Sequence, residues 1–290
     1  MPNARQVKQR IGTANNIAKI TKAMEMVSAS KMRKAQDQTL AARPFAQALR
    51  DSLQKLAKEA HPSLHPLLEE HTDGKDVLVV IATDRGLCGS LNQNLFKMLL
   101  DWYKKHPDGS FIVVGKKAVA FSNFMALDVF AQFTNMPDTI KTPDILPITT
   151  LVIDNFVAHN FKSVSIVYMD FINTLSQKVK IQQLLPIKAH ELAEEESVIE
   201  EESVHEYTFE PSPKEILTEL LPYYLENNVY QAFLESKASE HSARMVSMKN
   251  ASDNAKDLVK ELRLIYNKSR QESITKELLD ITTATLSLAQ

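Results

Sequence analysis

Residues 83–92 of this 290-residue chain, Thr83-Asp84-Arg85-Gly86-Leu87-Cys88-Gly89-Ser90-Leu91-Asn92, gather a thiol, a carboxylate, a guanidinium and two glycines. They follow the apolar run Val77–Thr83 and enter a helical pattern, the position at which open α/β sheets bind ligands. As a phosphate cradle the loop is incomplete. No Gly-Lys-Ser/Thr closes it, and Gly86-x-x-Gly89 lacks the first glycine of a dinucleotide fingerprint. Cys88, the single cysteine, would need a partnered histidine to act as a nucleophile, and the sequence offers none nearby. The expectation is therefore that the glycines let the backbone turn tightly and present Arg85 and Cys88 to another surface.

Histidines give no better chemistry. His61, His65 and His71 lie in a connector with Pro62 and Pro66, no His-Glu-x-x-His occurs, and the absence of Cys-x-x-Cys removes a thiolate zinc cluster. Nor are two carboxylates placed as an acid-base pair requires. Three features of the terminal segments are more pointed. Lys19, Lys22, Lys31, Arg33 and Lys34 stand beside Ile20, Met24, Met26 and Val27, a face that nucleic acid or an anionic membrane could use. Arg270 and Gln271 sit side by side far along a second helical stretch, either as a solvated face or as a paired gripping group. The last ten residues, 281–290, carry no charge, and Ile281, Leu286 and Leu288 would want an apolar socket.

The elements that hold these groups are of two kinds. Stepping 3 and 4 alternately from Ile11 through Ala14, Ala18, Thr21, Glu25, Ser28, Met32, Ala35, Thr39, Ala42, Ala46, Leu49, Leu53, Leu56 and Ala60 traces a heptad seam of mostly small residues. Pro44 lies inside it and is expected to kink or break the helix near Arg43. Met248, Ala251, Ala255, Leu258, Leu262, Ile265 and Ser269 repeat the rhythm near the other end, so the two helices are expected to pair as an antiparallel coiled coil. Between them the pattern alternates. Strands are expected at 77–83, 111–115, 128–133, 163–170 and 178–185, with helices at 91–105, 116–125 and 147–160, which makes a Rossmann-like, mostly parallel α/β body. The boundaries read as an N-terminal helix over 1–60, a connector over 61–75, the α/β body over 76–210 and a C-terminal helix over 211–290.

Composition supports this division. All six glycines lie in the first 115 positions, and from Tyr223 to Gln290 there is neither glycine nor proline. One helix over that stretch would run about 100 Å, too long for a compact enzyme of this mass. The longest apolar run, Val77–Ala82, is far below the roughly 20 residues of a membrane span. Charge is segregated. Residues 1–58 hold twelve basic side chains against Glu25, Asp37 and Asp51, whereas residues 191–210 hold nine glutamates and no Lys or Arg. The acidic block reads as a mobile surface loop or a site for charged partners. The acid-free first 24 residues have the composition of an organellar transit peptide, but their helical pattern continues past Met32.

Four segments carry a family resemblance: Lys19–Lys34 (KITKAMEMVSASKMRK), Thr83–Asn92 (TDRGLCGSLN), Gln231–Asn254 with its core ASEHSARMVSMK, and Tyr266–Thr275 (YNKSRQESIT). With these the whole chain resembles the γ subunits of F-type ATP synthases, of the bacterial type, because no cysteine-bearing insertion is present and Met1 leads directly into the first helix. The resemblance implies a central rotor shaft, its paired helices inside a ring of α and β subunits and its α/β foot on the ε subunit and the membrane c-ring. The δ subunit is a further possible partner. It implies β-subunit contacts at Met24, Lys31, Arg33, Lys34, Arg270, Gln271 and Thr275, and a β/ε contact loop at Arg85 and Cys88. Tyr207, Phe209 and Glu210 would face the c-ring and ε, and Ile281, Leu286 and Leu288 would form an apolar bearing tip.

No cofactor or metal is implied, and catalysis would belong to β. The chain would couple proton flow through the c-ring to ATP synthesis or hydrolysis and regulate the ATPase. It would lie peripherally on the cytoplasmic side of a bacterial inner membrane. Two other readings of the residues are a non-catalytic coiled-coil adaptor and an α/β enzyme using the 84–92 loop.

Overall fold

A computed structural model of the chain describes residues 4–57, 65–187 and 212–288. It divides into two compact units, one of residues 29–243 and one of residues 1–28 with 244–290. Two long helices, α1 (Ala4–Ala57) and α5 (Pro213–Leu288), contribute to both.

In the larger unit the order is β1 (Lys75–Ile81), α2 (Leu91–Lys105), β2 (Ser110–Val114), α3 (Lys116–Phe124), β3 (Val129–Phe133), α4 (Thr142–Val157), β4 (Phe161–Phe171) and β5 (Gln177–Leu185). The sheet runs β3-β2-β1-β4-β5. Its first three ladders are parallel, and β5 returns antiparallel on β4. This matches the alternation expected from sequence. The continuous apolar run of β1 is buried on both faces, its side chains dividing with period two. Val77, Val79 and Ile81 join a layer built with α4, α5 and the Leu49 and Leu53 end of α1. Leu78 and Val80 join the opposite layer with Leu91, Leu95, Leu99 and Trp102 of α2.

Helix α4 starts at Thr142, five residues before the expected Pro147. The side chain of Asp144 accepts from the backbone N–H of Lys141 at 2.8 Å, and Pro143 fills the first turn, where its missing N–H costs nothing. Helix α1 is not broken at Pro44, contrary to expectation. Pro44 and Leu40, whose carbonyl loses its partner, are both exposed, so water can satisfy the freed acceptor.

The seam predicted on α1 is the face that is covered: from Ile11 to Leu53 every seam position is buried or half-buried. Within the larger unit α1 and α5 run antiparallel. Lys31 and His241 approach the same Asp138, while Gln38 and Tyr230 share the carbonyl of Ile140, so sequence rises on one helix as it falls on the other. In the smaller unit the Ser252 hydroxyl donates to the Ala18 carbonyl at 3.3 Å. The α5 seam there takes the other phase of the 3-4 repeat. Met248, Ala255, Val259, Leu262, Tyr266 and Ser269 are covered, while the expected seam residues Leu258 and Ile265 are exposed. Apolar residues at both 258 and 259 made the two phases equivalent by pattern.

Candidate functional site

The 83–92 loop is a self-bonded turn. Asn92 Nδ2 donates to Thr83 Oγ1 at 2.8 Å, Thr83 Oγ1 donates to the Arg85 carbonyl at 2.7 Å, and Asp84 Oδ1 accepts the Lys116 N–H at 2.9 Å. The Asp84 carboxylate thus sits at the N-terminus of α3, where the helix dipole favours negative charge. Leu87 and Gly89 both take positive φ, 63° and 61°. That geometry turns Leu87 outward, 61% exposed, and Cys88 inward, 3% exposed in the α2 layer. The expectation that Cys88 is presented to a partner is corrected: Arg85 and Leu87 face out at this turn.

The crevice beyond the carboxyl ends of β1 and β2 is filled by the chain itself. Ile81, Ala82, Val114 and Gly115 on the sheet side meet Phe233, Ser236, Lys237 and Glu240 of α5, leaving a cavity of about 10 Å³. That is room for about one water and not for a nucleotide. Gly115 lets the ends of β1 and β2 lie close together on the sheet side of this crevice. At φ +95°, a Cβ there would lie 2.3 Å from the Ala82 carbonyl oxygen.

The described histidines serve structural ends. His65 Nδ1 accepts from the Leu67 N–H, His71 bonds to the Phe161 carbonyl and stacks on Phe156, and His106 meets Asp76 at 2.9 Å. Burial raises the Asp76 carboxyl, but hydrogen bonds from Ser163 and His106 and nearby positive charge outweigh it and hold it below its ordinary value. Among the described residues no group of three or more His, Cys, Asp or Glu is arranged around a metal position.

The smaller unit has the opposite character. Its covered face mixes small residues, Ala14, Ser28, Ser252 and Ala255, with Val7, Met248 and Val259, while other large apolar side chains stand outside it: Ile17, Ile20, Met26 and Val27 on α1, and Leu258, Leu264 and Ile265 on α5, with Leu264 72% exposed. Beyond Arg270 the helix is uncovered all round as far as Ala284, and Ile274, Leu278, Leu279 and Ile281 stand open. A free-standing coiled coil keeps its large apolar residues in the seam. Here many stand open outside it, as at a surface that meets a partner.

Arg270, Gln271 and Thr275 lie on this uncovered stretch, with the Thr275 hydroxyl donating back to the Gln271 carbonyl at 2.9 Å. Met24, in the same unit, is half-buried. In the larger unit Arg33 and Lys34 are exposed, whereas Lys31 is bound 2.6 Å from Asp138 of its own chain. Three residues expected at the contacts, Tyr207, Phe209 and Glu210, lie outside the described residues, as do the side chains of Leu286 and Leu288.

A family profile described as ATP synthase matches residues 3–288. An ATP synthase gamma chain from Glaesserella parasuis is 44% identical over 285 residues, covering 97% of this chain and 98% of the relative. The chain belongs to the ATP synthase gamma chain family. A gamma chain of Dehalococcoides mccartyi, 43% identical over the full length of both, agrees. Among solved structures, a chain of the central stalk and c-ring structure from the Tetrahymena thermophila mitochondrial enzyme is 28% identical. It covers 80% of this chain and 99% of its own, with a TM-score of 0.62. A chain of the Euglena gracilis mitochondrial enzyme shares the fold at 23% identity and TM-score 0.67, covering 98% and 94%.

Sequence reasoning singled out neither Asp138 nor Glu235. Asp138 sits in a short loop with no motif around it. For Glu235 a signal was available: Ser236–Ser242 is a polar interruption in the 3-4 pattern of α5, and all of those polar side chains are buried.

Proposed function

We propose that the chain is the central-stalk rotor subunit of an F-type ATP synthase, coupling ion-driven rotation of a c-ring to nucleotide turnover at β subunits. One observation carries this reading: beside the buried Val7, Met248 and Val259, the smaller unit leaves many large apolar side chains, from Ile17 and Ile20 to Leu264 and Leu278, open on its surface. A surrounding ring of α and β subunits supplies an apolar socket for them. Turning inside that ring, an asymmetric shaft presents a different face to each β subunit. It thereby shifts each nucleotide site among conformations without chemistry of its own. Arg270 and Gln271, whose donors can grip carboxylates and carbonyls, are the β contacts on the uncovered stretch, with Thr275 one turn on. Arg33 and Lys34 are offered to acidic loops of β, with Met24 facing the same zone. Arg85 and Leu87 form the contact of the 83–92 turn with β or ε, and Tyr207, Phe209 and Glu210 meet the c-ring.

The chain itself is non-catalytic in this reading. Support comes from the strand-end crevice, which α5 occupies, so the place where a doubly wound sheet would bind a nucleotide is taken in cis. No described helix is long and apolar enough to cross a membrane, and association with a bacterial inner membrane would be peripheral, through the c-ring.

The test is co-expression with α and β subunits. The chain is expected to co-purify as one copy to three of each, in a complex that hydrolyses ATP. The chain alone is expected to bind no ATP at micromolar concentration, and measurable binding would remove the non-catalytic assignment. Recovery free of α and β would remove the rotor assignment.

A further inference from the structure

Where α5 crosses the strand ends, its buried face changes character. From Leu217 through Leu221, Leu225, Val229 and Phe233 the covered side chains are apolar, and then Ser236, Lys237, Ser239, Glu240, His241 and Ser242 are all buried. Apolar contacts between helices tolerate small slips of phase, whereas paired polar groups fit in one register only. Ser239 donates to the Met169 carbonyl and Ser242 to the Thr174 carbonyl, Lys237 pairs with Glu240, and His241 faces the short loop between β3 and α4. Asp138 lies 2.6 Å from Lys31 Nζ on α1 and 3.9 Å from His241 Nε2 on α5, and Lys237 acts on it at longer range.

Two residues further on, the Ile140 carbonyl accepts from Gln38 Nε2 of α1 and from the Tyr230 hydroxyl of α5, each at 3.3 Å. Lys31 and Gln38 are about two helical turns apart, and Tyr230 and His241 about three. The loop therefore holds α1 by hydrogen bonds at two levels, from Lys31 and Gln38, and α5 by one, from Tyr230, with the His241 ring 3.9 Å from Asp138. A helix held at one level can pivot, but one held at two levels cannot turn relative to the sheet without breaking a bond. Burial raises the Asp138 carboxyl, while the Lys31 hydrogen bond and the surrounding cations outweigh it and keep it charged.

We propose that Asp138 is a positioning residue that fixes the rotational phase of α1 against α5 and the sheet, so that torque passes between sheet and helices without slip. The proposal rests on the rotor reading. Asp138 and Lys31 are partly exposed, so their pairing adds little to stability and the variants should fold. What it contributes is register.

The experiment uses the assembled synthase in membrane vesicles carrying Asp138→Ala, Asp138→Asn or the exchanged pair Lys31→Asp/Asp138→Lys. ATP hydrolysis and ATP-driven proton pumping are read together. Asp138→Ala is expected to keep its hydrolysis rate while protons pumped per ATP fall about twofold or more, the size of a shifted coupling free energy. Asp138→Asn should fall between, and the exchanged pair should recover. A wild-type ratio in Asp138→Ala, or hydrolysis and pumping falling in proportion, overturns the proposal. If the alanine variant does not assemble, the same criteria apply to Asp138→Asn. If neither assembles, Lys31→Met, which removes the pair from the α1 side, is assembled instead, a wild-type ratio overturning the proposal and a lowered ratio supporting it. Failure of the wild-type chain to assemble with α and β would strike the rotor reading instead, before any variant is made.

Discussion

Ser252 and Ala18, 234 positions apart, are joined by a hydrogen bond from the serine hydroxyl to the alanine carbonyl at 3.3 Å. Ser252 is only 1% exposed. The helices of the smaller unit approach this closely here because the residues around the contact, Ala14, Ala18, Ser252 and Ala255, are small.

Enlarging that seam should therefore cost more than losing the bond. Ser252→Ala removes one hydroxyl from a carbonyl that lies within a helix and should cost about 1 kcal/mol or less. Ser252→Leu overpacks the contact and should cost about 1–3 kcal/mol. Urea unfolding of the full chain, followed by circular dichroism, separates the two. An S252L chain as stable as wild type would mean that the helices do not meet there.

Gly115→Ala tests the close approach of the β1 and β2 ends. The added methyl meets the Ala82 carbonyl oxygen in a backbone conformation that L-residues rarely adopt. A loss of about 1–3 kcal/mol is expected from backbone strain alone, with the steric clash adding to it. The same unfolding measurement checks it, and a neutral substitution would contradict the geometry.

Glu235 gives a pH signature of definite sign. Its carboxylate accepts from Gln231 Nε2 at 2.8 Å and the Tyr168 hydroxyl hydrogen-bonds to it, while Oε2 is buried without a hydrogen-bond partner. Burial first, and the neighbouring Asp170 charge second, raise it above the ordinary glutamate value, against the hydrogen bonds and Lys180. A carboxyl raised in the folded state holds its proton better there than in the unfolded chain. The stability linked to it is complete below the ordinary value of about 4.3 and is lost as pH rises through the folded value. Glu235→Gln should accordingly melt higher than wild type at pH 8, with the gap closing toward pH 4. A gap independent of pH would refute the assignment.

Arg270, Gln271 and Leu278 separate function from folding. All three are exposed on a helix stretch that no element among the described residues covers. Arg270→Ala with Gln271→Ala, and Leu278→Asp separately, should change the stability of the chain by about 0.5 kcal/mol or less. In the assembled complex the first pair should lower ATP synthesis, and the second should weaken retention of the chain by α and β. Normal synthesis by the double variant would favour a passive tether over a rotor.

Much of the architecture was legible in local pattern. The run Val77–Ala82 read as a strand buried on both faces, and the seam from Ile11 to Leu53 read as the covered face of α1, because residue spacing alone fixes which side chains share a surface. Reading failed where two solutions were locally equal. Leu258 and Val259 offered two seam phases, and Pro44 could either break a helix or ride on its wet side. Cys88 was misplaced for a related reason: the positive φ values of Leu87 and Gly89, which exchange inside for outside, leave no mark on composition.

By itself, then, the sequence determined the sheet, the seam of α1, the uncharged tip and the family, since each depends on contacts between residues near in sequence or on long runs of identity. Only the tertiary structure decided that α5 plugs the strand-end crevice, that Lys31 is claimed by Asp138, and that Val259 is covered in the smaller unit while Leu258, Leu264 and Ile265 face outward. Those outcomes depend on which surfaces meet across a hundred or more positions. Such meetings are set by packing of the whole chain and not by the spacing of any one segment.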